Sequence, residues 1–198
     1  MSGAVGSQPA VFLDRDGTLI CEVGYLCRRD QIEILPRVAE AIRLLRAGGF
    51  CLVVVTNQSA VARGLLTEEE LGRIHGEMTA RLEKEGAYLD GIYYCPHHPT
   101  EGNGVYQRAC DCRKPNTGMI VTAAADLTLD LSCSYVVGDQ DIDMELAERV
   151  GAKGVRIAEE RIKDDSAALK YPVVVDLWQA AQWILSDRKQ SFERYGLS

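Results

Sequence analysis

Two aspartates separated by one residue, Asp14 and Asp16, follow the short apolar run Ala10–Leu13 and lead into Gly17-Thr18. In extended backbone, side chains two residues apart point the same way, so both carboxylates can face one pocket. Such a pair repels itself unless a cation or a proton lies between the two groups. A hard divalent ion such as Mg²⁺ suits oxygen ligands and would also engage a phosphate. Gly17 permits a sharp turn, and Thr18 offers a hydroxyl to it. Alone, Asp-x-Asp-Gly is more often a plain strand-capping turn, so its weight comes from partners elsewhere. Thr56-Asn57 follows the apolar Phe50–Val55, and Asp139 follows Tyr135–Gly138. Thr56-Asn57 would pass for a strand cap on its own and Lys114 for a solvated charge, whereas Asp139 is more specific, because a carboxylate at a sheet edge is a frequent ligand site.

A second constellation is richer in soft ligands. Cys95-Pro-His97-His98-Pro99 precedes Cys110-Asp-Cys112, with twelve residues between His97 and Cys110. Cys95, His97, Cys110 and Cys112 would fill a tetrahedral zinc shell and leave no open position, so the site is expected to be structural. His98 is the alternative to His97, although the two-residue spacing from Cys95 favours His97. The competing reading is a set of free cysteines beside a polar histidine pair. Arg113 and Lys114 come directly after Cys112, so a fixed metal would also position two cations. Of the remaining cysteines, Cys51 and Cys133 border apolar strands and read as buried packing residues, while Cys21 and Cys27 suggest no chemistry. Seven cysteines, an odd number, argue against a disulfide framework and for a reducing cytoplasm.

The elements that must position these groups alternate strand with helix. Strands are expected at Ala10–Leu13, Phe50–Val55, Gly91–Tyr94, Tyr135–Val137, Lys153–Ile157 and Pro172–Val175. Helical periods run over Pro36–Ala47, Gly118–Asp130, Met144–Val150 and Leu177–Leu185, and a capping box at Thr67-Glu-Glu-Glu70 opens another to about Glu85. Strands that are apolar throughout imply a parallel sheet covered on both faces, an α/β doubly wound, three-layer architecture. In such sheets ligands bind beyond the carboxyl ends of the strands, so Asp14, Thr56 and Asp139 should meet at one edge. The segment 95–112 interrupts the alternation as a loop that something must hold.

The 198 residues suggest one domain over 10–187, with a flexible tail at 1–9 and a polar tail at 188–198. A 46% hydrophobic and 26% charged composition excludes a disordered chain, and a net charge of −7 argues against nucleic acid as a partner. No apolar run approaches the roughly 18 residues needed to span a bilayer, so no membrane partner is expected. No apolar stripe is left over, and a monomer is expected.

The segments Phe12-Leu-Asp14-Arg-Asp16-Gly-Thr18-Leu19, Val55-Thr56-Asn57-Gln58-Ser59, Arg113-Lys114-Pro115 and Gly138-Asp139 with Asp143 occur in this order. Together they resemble the four motifs of the haloacid dehalogenase superfamily of phosphotransferases, over residues 10–157. The resemblance implies Asp14 as the nucleophile, Asp16 as general acid and base, and Thr56 and Lys114 as phosphoryl ligands. It also implies Mg²⁺ on Asp14, the carbonyl of Asp16 and Asp139, and little or no cap domain; Asp143 reads as orienting the site or capping the next helix, not as a direct metal ligand. Tyr94-Cys95-Pro-His97-His98-Pro99 with Cys110-Asp-Cys112-Arg113-Lys114-Pro115 is similar to the heptose-bisphosphate phosphatase branch. Histidinol-phosphate phosphatases share the zinc pattern with a shorter loop. That likeness implies a sugar bisphosphate substrate met by Arg15, Glu22, Val23, Gly24, Tyr25, Asn57, Gln58 and Ser59, with Arg113 as the recognition residue. Arg63 reads equally as an anion binder or a surface arginine. Ala60, Gln140, Glu22 and Cys21 depart from the branch's common residues, which bears on substrate choice rather than on phosphoryl transfer. A non-catalytic phospho-acceptor module is the reading from another class, and Asp16 discriminates, because such a module needs no second carboxylate to activate water.

Overall fold

The computed structural model describes residues 7–102, 104–158 and 170–194. Its six strands are β1 (Ala10–Leu13), β2 (Cys51–Asn57), β3 (Gly91–Cys95), β4 (Tyr135–Gly138), β5 (Lys153–Ile157) and β6 (Val173–Val174). They form one parallel sheet in the order β3-β2-β1-β4-β5-β6. Five α-helices accompany them: α1 (Val38–Ala47), α2 (Glu68–Lys84), α3 (Gly118–Leu127), α4 (Asp141–Val150) and α5 (Leu177–Arg194). The period-two alternation of strand side chains divides the interior. Val11, Leu13, Leu52, Val54 and Val137 pack with α1, α2 and α5, whereas Phe12, Val53, Val55 and Val136 pack with α3 and α4. Burial on both faces is why these strands read as unbroken apolar runs.

From β1 the chain builds outward to β2 and β3, then returns to lay β4 on the opposite side of β1. This reversal makes the carboxyl end of β1 the switch point of the sheet. Leu13 is in register with Val54 on one side and Val137 on the other, so the residues that follow all three strands emerge together. The Asp14 amide donates to the Val137 carbonyl at 2.9 Å and stitches the first turn to β4.

Helix boundaries follow local chemistry. The Thr67 hydroxyl accepts from the Glu70 amide at 3.1 Å and the Glu70 carboxylate accepts from the Thr67 amide at 2.7 Å, the reciprocal cap expected for α2. The third helix is shorter than its hydrophobic pattern suggests, because Thr128 turns left-handed at φ 55° and ends it at Leu127. Asp130 then caps a short 3-10 turn through the Ser132 amide, and Cys133, expected to be buried, is exposed in that turn. Residues 188–194 are not a loose tail, since α5 continues to Arg194. Arg188 holds the Gly48 carbonyl at 2.6 Å and its guanidinium lies over Phe50. Of the other expected tail, Gln8 pairs with Leu129, while 1–6 and 195–198 lie outside the described residues. Among the described residues, no helix is long and apolar enough to cross a membrane.

The long loop after β3 is fastened to the start of α2 and to the turn before it, where Glu101 pairs with Arg63. The Tyr94 and Tyr106 hydroxyls each donate to Glu68 at 2.7 Å, which holds its carboxyl below the usual range.

Candidate active site

A cleft at the switch point is lined by Asp14, Arg15, Asp16, Glu22, Gly24, Tyr25, Thr56, Asn57, Gln58, Ser59, Arg113 and Lys114. Leu26, Ala60, Gln140 and Ile142 complete it. Segments from four distant parts of the sequence therefore converge, as the strand-end placement requires.

Asp14 is 5% exposed. Lys114 Nζ lies 2.9 Å from its Oδ1 and the Arg15 amide donates to the same oxygen at 2.7 Å, which leaves the lone pairs of Oδ2 available. Lys114 also donates to Asp143 Oδ1 at 2.7 Å, and all three charged groups are buried. Burial drives the Asp14 carboxyl upward, Lys114 opposes the rise and Asp143 adds to it, so the group is pushed up to about 7. Asp143 also accepts from the Gln140 amide at 3.2 Å at the start of α4, which agrees with an orienting and capping role.

Asp139 completes an acidic cluster, since one ligand oxygen from each of Asp14, Asp139 and Asp143 falls within 4.8 Å of the others. Its Oδ1 is buried without a hydrogen-bond partner, and burial followed by Asp143 raises its carboxyl. Three carboxylates facing one lysine, with a buried oxygen left unsatisfied, form a donor set suited to a hard divalent cation.

Asp16 turns its carboxylate away from that cluster toward Arg15 and Gln58. Gln58 Nε2 donates to Asp16 Oδ2 at 2.9 Å and to Thr56 Oγ1 at 2.8 Å. Asn57 joins β2 to the lysine segment, accepting from the Lys114 amide at 2.9 Å and donating to its carbonyl at 3.2 Å.

Cys95, His97, Cys110 and Cys112 offer ligand atoms within 4.8 Å of one another. The sulfur of Cys112 lies 3.2 Å from those of Cys95 and Cys110 and 3.3 Å from His97 Nδ1, while Cys95 and Cys110 are 3.5 Å apart. A tetrahedron with metal–sulfur bonds of about 2.3 Å has edges of about 3.8 Å, so the sulfurs need only spread by a few tenths of an ångström to match a loaded site. His98 is outside it, with Nδ1 accepting from the Glu101 amide at 2.9 Å. Arg113 Nη1 donates to the His97 carbonyl at 3.0 Å and so ties the cleft to the cysteine loop.

Three expected substrate contacts are placed differently. Arg15 lines the cleft, but its guanidinium is turned into the protein, 1% exposed, because Asp16 and His75 take its donors. Arg63 is outside the lining, paired with Glu101 and stacked over Tyr25. Val23 is 43% exposed and also outside the lining. The buried His75 and the loop anchor Glu68 were not foreseen. His75 occupies the apolar face of α2, and that misplaced polarity was its signal; Glu68 carried none.

A HAD-hydrolase-like family model matches residues 111–180. The D-glycero-β-D-manno-heptose-1,7-bisphosphate 7-phosphatase of Salmonella typhi is 40% identical over 180 residues, 91% of each chain. Its counterpart in Haemophilus ducreyi is 47% identical over 145 residues, 73% of this chain and 79% of that one. The crystal structure of a D,D-heptose 1,7-bisphosphate phosphatase from B. bronchiseptica, complexed with magnesium and phosphate, superposes with a TM-score of 0.76 at 30% identity, covering 90% of this chain and 99% of that one. A putative HAD-like phosphatase from Mesorhizobium loti gives 0.82 at 30% identity, over 96% and 91%. Identity of this extent along nearly the whole chain, on the same parallel sheet, leaves one conclusion: the chain belongs to the heptose-1,7-bisphosphate 7-phosphatase family of haloacid dehalogenase-like phosphatases.

Proposed function

We propose that this protein hydrolyses the 7-phosphate of D-glycero-β-D-manno-heptose 1,7-bisphosphate through a phosphorylated Asp14. The observation that carries the reading is Asp14 itself, a buried carboxylate with Oδ1 fixed by Lys114 and the Arg15 amide and Oδ2 left for attack. Oδ2 attacks phosphorus, Asp16 gives its proton to the departing sugar oxygen, and the Asp16 carboxylate then takes a proton from the water that attacks the phosphoenzyme. Lys114 and Thr56 stabilise the transferring oxygens, and Asn57 fixes Lys114 through its two backbone bonds. Magnesium held by Asp14, the Asp16 carbonyl and Asp139 would neutralise charge on the phosphoryl group. Arg113, with its planar donor fork, binds the sugar or its second phosphate, while Glu22, Gly24, Tyr25 and Ser59 line that side. Zinc on Cys95, His97, Cys110 and Cys112 would fix the loop that carries Arg113 and Lys114. The seven free cysteines are in keeping with a reducing, cytoplasmic setting.

A phosphate-release assay with both anomers of the bisphosphate and with histidinol phosphate, with and without Mg²⁺, tests the assignment. The β-bisphosphate is expected to turn over with kcat/KM at least about ten-fold above the others, and to require the metal. Preference for histidinol phosphate, or metal-independent turnover, would overturn it.

A further inference from the structure

Arg15 grips Asp16 with two of its nitrogens: Nη2 reaches both oxygens, at 2.9 and 2.8 Å, and Nε reaches Oδ2 at 3.1 Å. A buried guanidinium needs an acceptor for its remaining arm. His75 of α2 supplies it, with Nη1 to Nε2 at 3.2 Å. Arginine carries donors only, so Nε2 accepts and the imidazole is neutral with its proton on Nδ1. The ring packs edge-on against Tyr94, centroids 5.6 Å apart, and the Tyr94 hydroxyl is fixed on Glu68. With Gln58 on its other side, Asp16 Oδ2 takes three donor groups at most, whereas Oδ1 takes Nη2 alone and keeps a lone pair for a proton.

We propose that Arg15 and His75 are a positioning pair for proton transfer: the His75 contact sets the angle of the guanidinium, and the guanidinium sets which Asp16 oxygen meets the leaving group. This inference deepens the phosphatase reading and rests on it. Neither side chain touches substrate. Asp16 Oδ1 gives its proton to the bridging oxygen as the P–O bond breaks, and the same oxygen recovers a proton from the attacking water. One fixed orientation therefore serves both steps.

The test compares kcat/KM for the sugar bisphosphate, whose alkoxide needs a proton to leave, with that for p-nitrophenyl phosphate, whose phenolate does not. His75→Leu is expected to lower the sugar value roughly ten- to hundred-fold and the aryl value less than about three-fold. His75→Gln, which keeps a neutral acceptor, should recover most of the sugar activity. In an Asp16→Asn background, His75→Leu should change nothing further. If His75→Leu does not fold, Arg15→Lys carries the same selective loss, because it keeps the charge and loses the fork. Equal losses on both substrates, or no loss, would overturn the proposal. Asp16→Asn at the wild-type rate would instead overturn the phosphatase reading beneath it.

Discussion

At Gly17 the backbone adopts φ 72°, and a β-carbon there would stand 2.4 Å from Asp139 Oδ2. The glycine therefore does two things: it makes the turn after Asp16 and lets the strand-end carboxylate of β4 approach the turn. Gly17→Ala should add about 1–2 kcal/mol of backbone strain and displace Asp139. The expected result is a fall in kcat/KM of roughly ten-fold and a rise in the Mg²⁺ concentration giving half-maximal rate. A titration of rate against Mg²⁺ checks this, and unchanged metal dependence would contradict it. At this scale Asp14, Thr56 and Asp139 were legible, because each directly follows an apolar run in the sequence. The inward turn of Arg15 was not, since its partner His75 lies sixty residues away on α2 and only packing brings the two together.

The loop that follows β3 links two chemistries. Arg113 is held by the His97 carbonyl, and Lys114 reaches Asp14 directly after it. Stripping metal from the cysteine–histidine group should loosen this segment while the sheet persists, because the strands and helices draw their burial from the two apolar layers. Metal-free protein with native circular dichroism is expected to lose about ten-fold or more in kcat/KM, recovered on adding zinc. Full catalytic efficiency without the metal would end that account. Strand positions were readable from apolar runs, and the start of α2 from its capping box. The end of α3 was not, because Thr128 enters the left-handed region without the glycine that usually marks it. The continuation of α5 was also hidden, since Arg188 and its neighbours look like a solvated tail until Phe50 and Gly48 are placed beneath them.

For the molecule as a whole, an acidic chain of net charge −7 gathers Arg113 and Lys114 at one sheet edge, so anion binding depends on local geometry rather than the global field. Its stability should also carry the mark of His75, which burial and then Arg15 push down to about 3 from 6.5. Above pH 6.5 neither the folded nor the unfolded form binds a proton there. Between about 6.5 and 3 the unfolded form does and the folded form does not, so stability is lost as pH falls. From pH 7 to 5 this should cost the wild type about 2 kcal/mol more than His75→Gln in urea unfolding. Identical pH slopes in the two proteins would refute the burial of a neutral imidazole. The central claim, that Asp14 carries the phosphoryl group, is tested most directly by acid-quenching the enzyme during turnover of the bisphosphate and locating the label by peptide mass spectrometry. The account predicts a phosphoryl group on Asp14 in the wild type, and in Asp14→Asn no phosphopeptide and a rate lower by at least about a thousand-fold. Wild-type turnover by Asp14→Asn, or a phosphoryl group on another residue, would contradict it.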